Sequence, residues 1–187
     1  MLTLLAAALV LSPQKTASTT SYKPTGPVVE VRMEKGGSFE ITTDPVNSPL
    51  TVNHILGLVK NRFYDRQCIH RVEYWVTQWG APASRNQPMM VKGKDGKMEL
   101  NEKVGDGGSG KDIAKFEAAQ NVDYVRGMVG IASEGLQLPG DSQLFILKKD
   151  AMRLYMSYAV VGKVTKGMEV VDNIKFGDRI RSMRVRK

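Results

Sequence analysis

Short β-rich segments separated by turn residues recur along most of the chain, and this pattern constrains the fold more than any other feature. VVEVRM (28–33) and SFEITT (38–43) are separated by EKGG, whose two glycines supply the positive φ of a tight hairpin. Further strand candidates are GMVGIAS (127–133), SQLFILK (142–148), YAVVGKV (158–164) and the alternating RIRSMRVRK (179–187). Many strands with few helices between them predict a mainly β fold, a closed barrel capped by helices.

Two helices are predicted between these strands. SPLTVNHILGLVKNRF has Ser48 as a helix N-cap and Pro49 at the first helical position. Its apolar residues recur at helical spacing: Val52, Ile55, Leu56, Val59 and Phe63. MEVVDNIKFG near the end predicts a short second helix. The polar residues 81–115 predict long loops, with a small hairpin around GKDGK.

Residues 1–27 are set apart from the rest of the chain by their composition. LTLLAAALVL (2–11) is too short to span a bilayer but is typical of the apolar region of a secretory signal. The Ser/Thr/Pro-rich residues 12–27 are typical of a disordered linker, so we expect the domain to occupy residues 28–187. If the signal operates, the protein is periplasmic or secreted; otherwise it is cytoplasmic. The single cysteine, Cys68, excludes an internal disulfide.

Several function classes lack support in the sequence. The 27 Lys and Arg residues against 19 Asp and Glu give a net charge of +8, but these charges are scattered, so we do not expect a nucleic-acid interface. GDGGSGKD (105–112) resembles a phosphate loop, but Asp112 stands where a Ser or Thr is needed. The two histidines, His54 and His70, form no metal-binding motif with Cys68. We therefore expect neither a metal nor another cofactor.

The segment NRFYDRQCIHRVEYWVTQWG (61–80) places Arg71 among apolar and aromatic residues. Burying an arginine there is costly unless another group pairs with it. One interpretation is an ion pair within the core. The other is a guanidinium held at the edge of an apolar pocket, where it meets the carbonyl or amide of a ligand.

The order of these segments resembles the cyclophilin family. SPLTVNHILGLVKNRFYDRQCIHRV is similar to the family's Pro-x-Thr-Val helix followed by Phe-Tyr-Asp and His-Arg-Val. VTQWG resembles its Gln-Gly-Gly turn, and GDGGSGKDIAKFE resembles its Gly-rich loop ending in Glu. DSQLFI resembles its Gly-Ser-Gln-Phe-Phe-Ile strand, and YAVVGKVTKGMEVVDNI its last strand and helix. The matches follow family order from about residue 28 to 187.

The resemblance implies a closed eight-stranded antiparallel β-barrel capped by two α-helices, with peptidyl-prolyl cis-trans isomerase activity. It implies that Arg71 and Gln78 are catalytic, that the nearby aromatic residues wall the proline pocket, and that His70 is structural. It assigns substrate binding to Trp75, Val76, Ala132, Ser133, Gln143, Phe145, Leu154 and Tyr158. The implied partners are proline-containing polypeptides whose folding the enzyme assists; a monomer without a membrane span is expected.

The chain departs from the family pattern at the pocket. One residue fewer than usual lies between Val72 and Gln78, and Trp79 replaces the first Gly of Gln-Gly-Gly, which is expected to narrow the site. Arg153 occupies the position of the tryptophan associated with cyclosporin binding, which argues against sensitivity to that drug. These departures leave a second interpretation open: a catalytically weak cyclophilin-like module that binds proline-containing segments as a chaperone or scaffold.

Overall fold

The computed structural model of the protein describes residues 22–186. The predicted signal segment lies outside these residues. Tyr22 is half-buried and donates a hydrogen bond of 2.6 Å from its hydroxyl to Asp44. The backbone of Gly26 and Pro27 is hydrogen-bonded to Thr43, so the described chain already contacts the sheet before residue 28.

Strands dominate the described part of the chain. They are β1 Val28–Met33, β2 Ser38–Thr43, β3 Arg71–Val72, β4 Val76–Trp79, β5 Met90–Lys92, β6 Met98–Leu100, β7 Met128–Ile131, β8 Leu144–Leu147, β9 Val160–Lys166 and β10 Ile180–Val185. The helices are α1 Pro49–Lys60 and α2 Met168–Asp172, with 3₁₀ turns at Pro82–Arg85, Glu102–Gly105 and Met152–Leu154. Between residues 22 and 186 no helix combines the length and apolar character needed to cross a bilayer.

Eight of these strands form one antiparallel sheet in the order β10-β1-β2-β9-β7-β8-β4-β3, and β5 pairs with β6 in a separate hairpin. The mainly β fold with two helices is thus confirmed. Gly36 (φ 99°) and Gly37 (φ 82°) form the predicted β1–β2 turn. The small hairpin predicted around GKDGK is β5–β6.

The prediction of a closed barrel is overstated, because the sheet is strongly curled but its edge strands β3 and β10 do not form a ladder. Instead, the segment that precedes β3 is joined to the start of β10 and the residues before it, by an isolated bridge between Cys68 and Arg179 and by neighbouring backbone hydrogen bonds, such as that from Ile69 N to Asp178 O (2.8 Å). The conformation of the segment before β3 explains why no ladder with β10 forms. Arg66 there has a φ of 65°, so the backbone is not extended and cannot continue a regular ladder.

Strand β8 separates two apolar clusters because successive side chains of a strand point to opposite faces. Leu144 and Ile146 belong to the larger cluster, which also contains residues of β1, β2, α1 and β9. Phe145 and Leu147 point the other way, into a smaller cluster with Val76 of β4. The sheet therefore buries both faces at this point, and the smaller cluster is the one beside Arg71 and Gln78.

Helix α1 begins where the sequence predicts, but a different side chain satisfies its first N–H groups. Ser48 is the N-cap residue and makes no side-chain capping bond. Instead, Glu117 accepts hydrogen bonds from Leu50 N (3.0 Å) and Thr51 N (2.8 Å) through its two carboxylate oxygens. A buried carboxylate at a helix N-terminus also interacts favourably with the helix dipole. Glu117 thereby joins the Gly-rich loop to α1.

We predict that Glu117→Gln destabilises the protein by about 1–3 kcal/mol, because an amide replaces two charge-assisted bonds with one acceptor and adds a buried donor. The free energy of unfolding is measured by urea denaturation. Glu169→Gln is the matched control, since Glu169 is an exposed carboxylate in the first turn of α2. Equal unfolding free energies for wild type and Glu117→Gln would contradict the capping role.

Candidate active site

A chain of polar side chains runs from β3 across β4 to β8. Arg71 and Gln78 are directly paired across β3 and β4, and Arg71 Nη1 donates to Gln78 Oε1 (3.3 Å). Gln78 Nε2 donates to Gln143 Oε1 (2.9 Å). Gln143 Nε2 then donates to the carbonyl oxygens of Gly105 (2.8 Å) and Gly107 (3.2 Å). The direction of each bond fixes the orientation of both amides, so the guanidinium is connected to a defined scaffold.

An apolar surface adjoins this polar chain. Six of the eight residues to which the sequence assigns substrate binding lie in or against the smaller cluster: Trp75, Val76, Ala132, Phe145, Leu154 and Tyr158. Phe145 is paired with Gln78 across β4 and β8, so the polar chain and the apolar surface meet at that pair. The Phe145 and Tyr158 rings contact edge to face, with centroids 5.5 Å apart.

Two of the predicted substrate-binding residues lie near Gln143, at the opposite end of the polar chain from Arg71. Ala132 and Ser133 line a cavity of about 680 Å³ together with Gln78 and Gln143, and Ala132 also packs against the smaller cluster. Ala132 N donates to Gln143 O (2.8 Å), which places the backbone after β7 alongside β8. Four of the ten residues singled out by the sequence thus line this cavity. The other six are Arg71, which is hydrogen-bonded to Gln78, and five residues in or against the smaller cluster. We refer to the polar chain, this cavity and the adjoining smaller cluster together as the groove.

Gly130 of β7 is required by the position of the Phe145 ring. It pairs with Phe145 across β7 and β8, and a Cβ at this position would lie only 2.4 Å from Phe145 Cζ. Because a side chain here would displace the ring, Gly130 allows the Phe145 ring to pack closely against the backbone of β7. The apolar floor of the groove is therefore set by the pair Gly130–Phe145.

The expectation that the aromatic residues of 61–80 wall the pocket is wrong for Phe63, Tyr64 and Trp79, which lie in or against the larger cluster. Trp79 is fully buried in the larger cluster, where it contacts Phe39 edge to face at 6.3 Å. It lies on the opposite face of β4 from Val76 and Gln78 and does not narrow the groove. Tyr64 is also buried in the larger cluster, and the Tyr74 side chain is 80% exposed.

Glu73 and Arg153 contribute to the site in ways that the sequence did not indicate. Glu73 forms an ion pair with Arg71 (2.6 Å from Nη2), so the guanidinium is paired at the surface rather than within the core. Glu73 also accepts a hydrogen bond from Trp75 Nε1 (2.7 Å). The Arg153 guanidinium lies over the Trp75 ring, 4.4 Å from its centroid. In the sequence alone, the charges of Glu73 and Arg153 cannot be distinguished from ordinary surface charges.

Comparison with known proteins identifies the family. Residues 28–187 match the family of cyclophilin type peptidyl-prolyl cis-trans isomerases. The chain belongs to that family. A probable peptidyl-prolyl cis-trans isomerase of Brucella abortus is 35% identical over 144 residues, which cover 76% of this chain and 69% of the relative. Peptidyl-prolyl cis-trans isomerase B of Bacillus subtilis is 29% identical over 154 residues, 82% of this chain and 94% of the relative.

A solved structure shows the same fold. A cyclophilin type isomerase of Cryptosporidium parvum superposes with a TM-score of 0.66 at 17% identity, covering 86% of this chain and 98% of that one. The family assignment made from the sequence is thus confirmed, and with it the activity class of a peptidyl-prolyl cis-trans isomerase. Across residues 22–186, no three His, Cys, Asp or Glu side chains are grouped so as to hold a metal ion.

His70 lies beside this cyclophilin groove in a neutral state. Burial, together with the charge of Arg71, lowers the pKa of His70 from 6.5 to about 4. Its ring packs near Gly105, the glycine whose carbonyl ends the polar chain. Because the charged form is disfavoured in the fold, His70 is not a proton donor at neutral pH.

We predict that the lowered pKa of His70 makes the protein less stable in acid. The unfolded chain takes up a proton near pH 6.5 and the folded chain only near pH 4, so stability is lost as the pH falls between these values. Between pH 7 and pH 4.5 the wild type should lose roughly 2–3 kcal/mol more than His70→Gln. Urea denaturation of both proteins at both pH values measures this difference. Identical losses would contradict it.

Proposed function

We propose that this protein catalyses the rotation of X-Pro peptide bonds in polypeptides with Arg71 and Gln78 as its catalytic residues. The observation that carries the proposal is that the polar chain and the apolar surface meet where β4 pairs with β8. Gln78, hydrogen-bonded to Arg71, pairs with Phe145 on the floor of the apolar groove. A proline ring on this floor places its peptide bond within reach of the guanidinium.

The chemistry requires only that arrangement. Rotation must break amide resonance, with a barrier of roughly 18–20 kcal/mol. In the twisted transition state the prolyl nitrogen becomes pyramidal and its lone pair becomes available to a donor. A guanidinium aimed at this nitrogen stabilises the twisted state more than either planar state, which is the differential binding that catalysis requires.

Arg71 cannot supply the whole effect. One preorganised donor contributes about 3–4 kcal/mol. An acceleration of about 10⁵-fold needs about 7 kcal/mol. The remainder must come from holding the proline ring on Phe145 and Val76 while the preceding carbonyl rotates. Gln143, Ala132 and Ser133 are proposed to hold the extended substrate backbone along the groove.

A second candidate function is a binding module that holds proline-containing segments with little turnover. The observation that favours it is the ion pair between Arg71 and Glu73, which occupies part of the guanidinium. Against it stands the exposure of the Arg71 side chain, 45%, which leaves the remaining N–H groups accessible to a ligand. The two functions differ in turnover, because an isomerase accelerates the rotation of the X-Pro bond and a binding module does not.

We predict that the full chain accelerates cis-to-trans relaxation of an Ala-Pro peptide and that Arg71→Ala lowers kcat/KM by about 100- to 1000-fold, the loss expected for one preorganised donor. Arg71→Lys should recover little, because an ammonium lacks the planar fork. Peptide relaxation after a solvent jump in the cold gives the rates. Peptide affinity should change little in either variant.

Arg126→Ala is the matched control, since Arg126 also forms an exposed ion pair, with Asp172, but lies outside the groove. Its rate should equal that of the wild type. A folded wild type that binds the peptide without accelerating its relaxation would favour the binding module. Full activity of Arg71→Ala would show that the site is assigned to the wrong residues.

We also propose export from the cytoplasm, a proposal that rests on the apolar run of residues 2–11 and the Ser/Thr/Pro-rich stretch after it. A reporter active only outside the cytoplasm, fused after Lys187, should be active with the full chain. Leu5→Arg combined with Leu9→Arg should abolish that activity by interrupting the apolar run. A fusion found in the cytoplasm in both forms would contradict export.

A further inference from the structure

Glu73 lies in the tight turn that joins β3 to β4. Val72 pairs with Thr77, and Glu73 N donates to Val76 O (2.8 Å), so only Tyr74 and Trp75 remain at the tip. This turn lies within the stretch between Val72 and Gln78, where the sequence has one residue fewer than the family pattern. Trp75 therefore projects from an exposed tip, where the surrounding core supports it on one side only.

The two carboxylate oxygens of Glu73 contact two different side chains of the groove. Oε1 accepts from Arg71 Nε (2.7 Å) and lies 2.6 Å from Arg71 Nη2. Oε2 accepts from the indole Nε1 of Trp75 (2.7 Å). One carboxylate thereby fixes both the guanidinium and the aromatic wall, and the distance between them follows from its geometry.

Two guanidinium groups lie near the Trp75 ring that Glu73 contacts. The Arg71 and Arg153 guanidinium carbons are 5.6 Å and 4.4 Å from the centroid of the same Trp75 ring. The hydrogen bond from Arg71 lowers the pKa of Glu73, and the hydrogen bond from Trp75 and the charges of both arginines lower it further, so the carboxylate is ionised at neutral pH. A single negative charge here offsets the repulsion between two cations that share one ring.

We propose that Glu73 is a positioning residue for the isomerase: it holds Arg71 at the prolyl nitrogen and Trp75 as the wall of the proline pocket through separate oxygens. The inference rests on the proposed function of Arg71. Exposed ion pairs contribute little to stability, and the side chains of Arg71 and Glu73 are 45% and 42% exposed, so the pair acts through orientation.

Glu73→Gln tests the proposal because glutamine keeps the size of the side chain but has one acceptor oxygen and no charge. It can accept from Arg71 or from Trp75 but cannot reproduce both contacts. We expect kcat for an Ala-Pro peptide to fall about tenfold, less than the hundredfold that a misplacement of roughly 1 Å can cost. KM should change less than kcat, and the urea midpoint should not move.

Trp75→Phe completes a double-mutant cycle, because phenylalanine lacks the indole N–H that Glu73 holds. If Glu73 couples the two side chains, the double variant should lose less activity than the product of the single losses. Asp172→Asn is the matched control. The Arg126–Asp172 pair has the same 2.6 Å separation and exposures of 42% and 40% but lies outside the groove, so its kcat should equal that of the wild type.

A second readout does not depend on activity. In ¹H–¹⁵N NMR spectra the chain has two indole N–H signals, from Trp75 and Trp79. In Glu73→Gln the Trp75 signal, assigned with Trp75→Phe, should shift and exchange faster with solvent, whereas the Trp79 signal from the core should not change. An unaltered Trp75 signal would overturn the proposal even if the wild type proved inactive.

The kcat of Glu73→Gln also tests whether Glu73 positions Arg71. An unchanged kcat in Glu73→Gln, beside an active wild type, would show that the ion pair is incidental. A raised kcat would show that Glu73 competes with the substrate for the guanidinium, which is the opposite of positioning. An inactive wild type would refute the proposed function, while the indole signals would still decide whether Glu73 holds Trp75.

Discussion

The pairing register between β4 and β8 is the constraint on which the rest of the structure depends. Gln78 is opposite Phe145 and Val76 is opposite Leu147, so one face of the pair carries the polar chain and the apolar floor together. The other face carries Trp79, Leu144 and Ile146 into the larger cluster. A slip of one residue would exchange these faces, burying Gln78 and exposing Trp79. The core thus enforces the register that assembles the site.

The same constraint explains how the chain tolerates one residue fewer between Arg71 and Gln78. A deletion within a ladder would turn Arg71 to the opposite face of the sheet. Here Arg71 still pairs with Gln78, and the loss is absorbed at the tip of the turn. The consequence appears at Trp75, which is carried by a two-residue tip and is held by the hydrogen bond to Glu73 as well as by packing against the smaller cluster.

Period-two and period-3.6 patterns were sufficient to predict the β1–β2 hairpin, α1 and the mainly β class, because these elements are stabilised by near neighbours in sequence. The groove residues were predicted from family motifs. Glu117 could not be found this way, since it caps α1 from 66 residues away along the chain. The contacts of Glu73 could not be predicted either, because a charged residue next to a turn is usually solvated. The sequence could not predict on which side of the sheet Trp75 and Trp79 lie, because that depends on where the turn ends and β4 begins.

The groove combines two kinds of support. Its floor, Phe145 with Val76, is almost completely buried, and displacing it would disturb the packing of three neighbouring strands. Its wall, Trp75, is held by one hydrogen bond and by cation–π contacts, each of which is modest at an exposed site. Rotation about an X-Pro bond moves the residue before proline while the ring stays in place. A rigid floor therefore suits the part of the substrate that stays in place.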